Sequence, residues 1–242
     1  MKRKIIIDGE VLEYELERKR VKNVNLRVRT DGSVYVSANR YVSVAQIEDF
    51  ITSNYDFIQN ARAKYEKIRN SNPICNLSEY KNGEKICVFG QIKTLKVVQS
   101  DKNYVESDEN NITIYVKNLD DIALKMKTFE SYKRKTLMNV LNEICNRIYP
   151  TFKNYGVDFP EIRIRKMVSR WGSCMPTKKV VTFNTVLFFV PIDCVEYVAV
   201  HEFTHFLHPN HSKKFHSAMT VFMADWEIRK QKLQKYIFAV EL

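Results

Sequence analysis

The chain has 242 residues, 45% apolar and 28% charged, with only six glycines and six prolines. That make-up belongs to an ordinary globular protein with enough length for a sizeable core, and it leaves little room for a long flexible linker. No apolar run approaches the roughly 18–20 residues of a membrane span, so no membrane partner is expected. The net charge of +11 permits attraction to nucleic acid or to an acidic partner. Its lysines and arginines are spread along the chain, however, so a solvated basic surface is the plainer reading and a nucleic-acid face stands beside it.

In chain order, "KIIIDGEVLEYEL" and "NLRVRTDGSVYVSA" each place Asp-Gly between alternating apolar runs, the strongest short-range hairpin signal. The opening apolar run is three isoleucines that meet Asp8. This reads as a strand and a turn, not a secretory signal, and a cytoplasmic protein is expected. "VSVAQIEDFITSNYDFIQNARAKYEKI" predicts one helix, opened by a capping box of Ser43 and Gln46. The stretch "SNPICNLSEYKNG" is turn-rich and is the best compositional boundary. "EKICVFGQIKTLKVVQS" and "NITIYVK" then resume short strands.

A long helix is predicted over about 120–149, with Pro150 limiting its end. "EIRIRKM" and "KKVVTFNTVLFFV" read as strands around the turn "VSRWGSCMPT". "PIDCVEYVAVHEFTHFLH" reads as a helix with Pro191 in its first turn, and two shorter helical patterns close the chain. No repeat is visible. Five cysteines (Cys75, Cys87, Cys145, Cys174 and Cys194) are an odd number with no CxxC pair, and read most simply as free thiols in a reducing compartment.

All five histidines, His201, His205, His208, His211 and His216, fall within residues 199–219. His201-Glu202-Phe203-Thr204-His205 is HExxH, which on a helix brings two imidazoles to one face a turn apart. Glu202, about 100° around the axis from His201, can then move protons beside the metal without binding it. A catalytic zinc takes three protein ligands and keeps a position open. His211, six residues past His205 beyond the reversal "HPN", is the leading third ligand. His208 and His216 compete as ligands, or as groups at the rim of a cleft. A closed structural zinc is the bland alternative, and the adjacent Glu202 argues for the catalytic one.

The segments "SRWGSC", "VTFNTVLFFVP" and "VEYVAVHEFTHFLHPNHSKKFH" together resemble the YgjP-like zinc metallopeptidase domain, a relative of the SprT-like and WLM zincins. "NVNLRVRTDGSVYVSA" and the helix after it are similar to that family's opening β-unit. The resemblance implies zinc on His201, His205 and His211, with Glu202 as the catalytic residue. One departure stands out: the family's Trp after Phe215 is His216 here.

The expected architecture is α+β: a small antiparallel β-rich N-terminal unit with a helix (1–118) and a zincin-like α+β catalytic domain (119–242). The strand in "VVTFNTVLFF" is expected to flank the cleft. Arg170 reads either as a stabiliser of negative charge in the site or as a structural contact, and Asn184 as a substrate contact or a bulge cap. Trp171 reads as core packing. The expected activity is Zn2+-dependent hydrolysis of a protein or peptide substrate. Two rivals remain: a zinc hydrolase of a nucleotide-type substrate, and a nucleic-acid-associated binding protein with a local or vestigial protease site.

Overall fold

The computed structural model describes residues 2–29, 31–71, 79–167 and 170–236. Cys75 and most of the turn-rich stretch after residue 71 lie outside them. The chain divides by packing into Met1–Asn72 and Pro73–Leu242. The division thus falls at the turn-rich stretch and not after residue 118, because the strands of 85–116 share one hydrophobic core with the C-terminal helices.

In the first unit, β1 (Lys2–Ile7), β2 (Glu10–Arg18), β3 (Asn25–Val28) and β4 (Val34–Ala38) form a sheet in the order β1-β2-β4-β3. The architecture is the expected α+β, but the sheet is mixed. Two antiparallel hairpins are joined through a parallel β2–β4 pair. Period-two alternation buries Leu12, Tyr14 and Leu16 on β2 and Val34, Val36 and Ala38 on β4, giving one apolar face.

Helices α1 (Val44–Ser53) and α2 (Tyr55–Ser71) bury Ile47, Ile51 and Ile58 in the same core. The capping box forms, with Gln46 N–H on Ser43 Oγ at 3.2 Å and Ser43 N–H on Gln46 Oε1 at 3.0 Å. The single helix expected here is two. Asn54 caps α1 by turning its N–H onto Ile51 and Thr52, and the chain resumes as α2 one residue later.

The second unit opens on the same plan. β5 (Lys85–Val88), β6 (Gln91–Gln99), β7 (Tyr104–Ser107) and β8 (Asn111–Val116) form a sheet in the order β5-β6-β8-β7, again two hairpins joined by a parallel pair. Helix α3 (Ile122–Lys153) follows, its N-terminus capped by Asp121 accepting from Leu124 N–H at 2.9 Å. Pro150 lies inside α3 and does not end it. The last turn is held in place by Phe152, which is buried with its ring 5.3 Å from that of Phe203 and 4.6 Å from that of Phe222.

A third sheet, of β9 (Glu161–Arg165), β10 (Gly172–Met175) and β11 (Val180–Asn184), has the order β10-β11-β9. The segment Gly172–Met175, read as part of a turn, is thus a strand, and Thr185–Phe189, read as the end of a strand, is a 3-10 turn. Helices α4 (Ile192–Thr204), α5 (Lys213–Phe222) and α6 (Trp226–Gln234) complete the unit. Among the described residues, no helix is long and apolar enough to cross a membrane.

Candidate metal centre

Helix α4 is buried around most of its circumference, through Val195, Val198, Ala199 and Phe203 among others. Against so apolar a setting the HExxH polar groups stand out. The helix ends at Thr204, earlier than the sequence pattern suggests. His205 is its C-cap but keeps right-handed helical angles (φ −65, ψ −18), so the i, i+4 relation of His201 and His205 survives. Tight bonds from Leu207 N–H and His208 N–H to Thr204 O, both 3.0 Å, then unwind the chain. Ser212 caps α5 through its bond from Phe215 N–H.

This reversal returns His211 to the helix, as its place beyond "HPN" predicts. Its Nε2 lies 3.0 Å from His201 Nε2. One ligand atom each from His201, His205 and His211 lie within 4.8 Å of one another, and the three rings sit 4.8–4.9 Å apart by centroid. Burial first, then the neighbouring imidazoles, push the His201 pKa down to about 3. Burial also lowers that of His205, against the opposing effect of its hydrogen bond to the His208 carbonyl. Both rings are therefore neutral at pH 7, with a lone pair to offer. His205 Nδ1 faces the His208 carbonyl at 3.1 Å. A carbonyl only accepts, so Nδ1 carries the proton and Nε2 is left for a metal.

Phe215 of α5 is 1% exposed and makes the floor of the cluster, its ring 5.0, 4.7 and 4.8 Å from those of His201, His205 and His211. Sequence reasoning passed over it. Its signal was the HSxxF spacing, which puts an aromatic one helical turn after His211.

Glu202 is 5% exposed. Burial raises its carboxyl to about 8, with Arg170 pulling the other way. A Cβ added to Gly172 on β10 would lie 2.7 Å from Glu202 Oε1 and 2.8 Å from its Cγ. The glycine of RWGSC is therefore what admits the carboxylate between helix and strand, a role visible only in three dimensions. Tyr197, one turn before His201, also went unnoticed. It lines the same cavity, and burial, then the nearby Glu202, push its hydroxyl up to about 12, so it stays protonated.

These groups open on a cavity of about 590 Å³ that Arg170, Trp171 and the β10 residues Gly172, Ser173 and Cys174 also line. Trp171 does this while packing against the core. Arg170 is exposed. Cys174 keeps its proton, with burial and Glu202 raising its thiol to about 12. Cys145, Cys174 and Cys194 are free thiols.

Three of the sequence candidates have other work. Asn184 is fully buried and lies outside the cavity wall. Its amide donates to the carbonyls of Met167 and Arg170, both at 2.7 Å, and its oxygen accepts from Met167 and Val186 N–H at 3.3 Å. It fastens the loop before β10 and has no free group for substrate. His208 contributes its carbonyl to His205, and its ring does not line the cavity. His216 stacks on Trp226 (5.3 Å, 19°) and meets Phe215 edge-on at 5.6 Å, so it touches the cluster from behind. Nor does β11 flank the cleft. It is the central strand, and the cleft edge is β10.

A mixed α+β unit that gathers three imidazoles and a buried carboxylate on one helix and the turn after it has the make-up of a metallopeptidase. The chain belongs to the YgjP-like family: the family model of the YgjP-like metallopeptidase domain matches residues 22–236. None of the curated proteins matches it.

Proposed function

We propose that this metallopeptidase is zinc-dependent, that His201, His205 and His211 hold the Zn2+, and that Glu202 is the general base. The observation that carries this reading is the convergence of three imidazole nitrogens within 4.8 Å. Zinc–nitrogen bonds of about 2.0–2.1 Å place tetrahedral nitrogen ligands roughly 3.3 Å apart, so the cluster needs only small adjustments. Three imidazole donors, with no fourth protein ligand grouped with them among the described residues, are the donor set of a catalytic zinc, not of a closed structural one.

Zinc, when bound, supplies Lewis acidity toward a water and a carbonyl. The chain's own residues do the rest. Glu202, adjacent to His201 and held against Gly172, takes a proton at its carboxylate and returns it to the leaving amine. Its high pKa in the metal-free protein makes it a willing acceptor, and a nearby cation lowers that pKa toward the working range. Phe215 keeps water from behind the ligands. The outer edge of β10, which among the described residues pairs only with β11 on its other side, offers backbone N–H and C=O groups to an extended peptide, which favours a peptide over other substrates. Arg170 is the one guanidinium or ammonium among the described residues of the cavity wall. It favours an acidic group on the substrate, and is the feature that a nucleotide-type substrate would use instead.

Elemental analysis of the purified wild type beside His211→Ala tests the site, and hydrolysis of an unstructured protein such as casein tests the reaction. About one zinc per chain is expected, lost in the variant, with hydrolysis abolished by a chelator and restored by zinc. A wild type that binds no zinc when supplied with it sinks the metal assignment. Zinc-loaded protein that cleaves a nucleotide but no peptide sinks the peptide assignment.

A further inference from the structure

The N-terminal unit carries a cavity of its own. β2 and β4 run parallel with Arg18 opposite Ala38, so the residues leaving both strands emerge side by side. Arg18, Lys19 and Arg20 from one strand and Asn39, Arg40 and Tyr41 from the other enclose about 560 Å³, a size suited to a small ligand. Its walls are fastened together. Arg18 Nη1 donates to the carbonyls of Asn39 (2.8 Å) and Val42 (2.7 Å), Lys19 N–H to that of Ala38 (3.1 Å), and Asn39 Nδ2 to that of Val21 (3.3 Å).

Four cations thus surround one cavity. Among the described residues the sole carboxylate bonded to any of them is Glu17, on Lys19 at 2.9 Å. The Arg20 side chain makes no ion pair or hydrogen bond with a described residue. Arg40 lies 4.7 Å over the ring of Tyr41 and donates to its hydroxyl at 2.5 Å. Tyr41 itself is 79% exposed. Cations gathered this closely repel one another and raise the local concentration of anions. A solvated surface would scatter them and would have no use for a largely exposed aromatic ring among them.

We propose that this cavity binds a nucleotide unit of a single-stranded nucleic acid, with its phosphate on Lys19, Arg20 and Arg40 and its base on Tyr41. Cationic groups that track the backbone beside an aromatic that stacks on a base are what single-strand binding requires. An acidic peptide would meet the cations equally well but brings no flat face to Tyr41. A duplex hides its bases in the stack. The proposal stands independently of the metal centre.

Fluorescence anisotropy with a labelled mixed-sequence single-stranded RNA of about 12 nucleotides tests it, at about 50 and about 200 mM salt. Wild-type affinity should fall steeply with salt. The double variant Arg20→Glu/Arg40→Glu should bind about tenfold more weakly or worse, and its salt slope should be shallower by about two. Tyr41→Ala should weaken binding several-fold while Tyr41→Phe binds as wild type does. These side chains are exposed, so thermal midpoints should be unchanged. Should the double variant prove unstable, Arg20→Ala and Arg40→Ala carry the same test singly.

Release of the labelled strand by a free mononucleotide at millimolar concentration would assign the site to single nucleotides, and release only by unlabelled strand would assign it to the polymer. Both keep the proposed chemistry. Wild-type affinity in the charge variants would overturn the proposal, as would competition by polyglutamate of equal charge as effective as that by RNA.

Discussion

The turns Asp8-Gly9 and Phe89-Gly90 occupy the same place in two sheets of the same plan. Both have positive φ at each residue, 51 and 81 in the first and 48 and 83 in the second, the backbone that suits a two-residue hairpin. Their surroundings differ completely. A Cβ on Gly9 would meet nothing within 4 Å, whereas one on Gly90 would lie 2.6 Å from Cγ of Pro191, the N-cap of α4.

Beside that turn, Phe89 N–H bonds Phe188 O at 2.8 Å, and Cys87 Sγ donates to Phe189 O at 3.0 Å. The second sheet therefore seats the start of the helix that carries HExxH, and α3 packs both on that sheet and on α4. The first sheet is covered by α1 and α2 and keeps its core to itself. One topology has been put to two uses: as a self-contained unit, and as the bed of a reactive helix. The lesson is that sheet plan alone does not say where chemistry sits. The contacts of one turn do.

The comparison is sharpened most by Glu202→Gln. This variant should keep its metal and lose about 10²–10⁴-fold in kcat, measured on protein whose zinc content matches wild type. Equal loss of metal would show that Glu202 is a ligand or a structural support. The same variant carries a pH signature in the metal-free protein. The folded-state pKa of about 8 lies above the usual 4.5. Below about pH 4.5 the carboxyl is protonated folded or unfolded, and the substitution changes little. Between about 4.5 and 8 the unfolded chain has released a proton that the folded chain retains, so wild-type stability falls as pH rises. Above about 8 the deficit is constant. The thermal midpoint of Glu202→Gln should therefore exceed that of the wild type by a margin that grows across that window. A constant margin would break the assignment.

Gly172→Ala comes next. Its added methyl group collides with Glu202, so kcat should fall about tenfold or more with zinc retained. Unchanged kcat would mean that the carboxylate has another resting place. The smallest effects are those on the paired turns. Gly90→Ala combines a left-handed backbone with a clash on Pro191 and should cost about 2–4 kcal/mol in denaturant unfolding. Gly9→Ala carries the backbone strain alone and should cost about 1–2 kcal/mol. Equal costs would erase the distinction between the two sheets.

Local chemistry was legible in the chain as written. HExxH needs only helical periodicity to align two imidazoles, Asp-Gly needs only its own dihedral preferences to make a hairpin, and Ser43 with Gln46 needs only three residues to close a capping box. "HPN" likewise announced the reversal that returns His211. What depended on distant partners was not legible. Whether Pro150 ended α3 was decided by the burial of Phe152 against Phe203 and Phe222.

Asn184 became a loop staple because Met167 and Arg170 folded onto it. β10 became the cleft edge because β11 pairs with strands on both sides. The repeated sheet plan left no trace as a sequence repeat, since alternation and turns can be encoded by many residues. Gly172, Phe215 and Tyr197 joined the site only when strand, helix and turn closed around Glu202 and the three histidines. Periodicity and turn preference act over a few residues and can be read from them, while burial and close approach are properties of the packed chain.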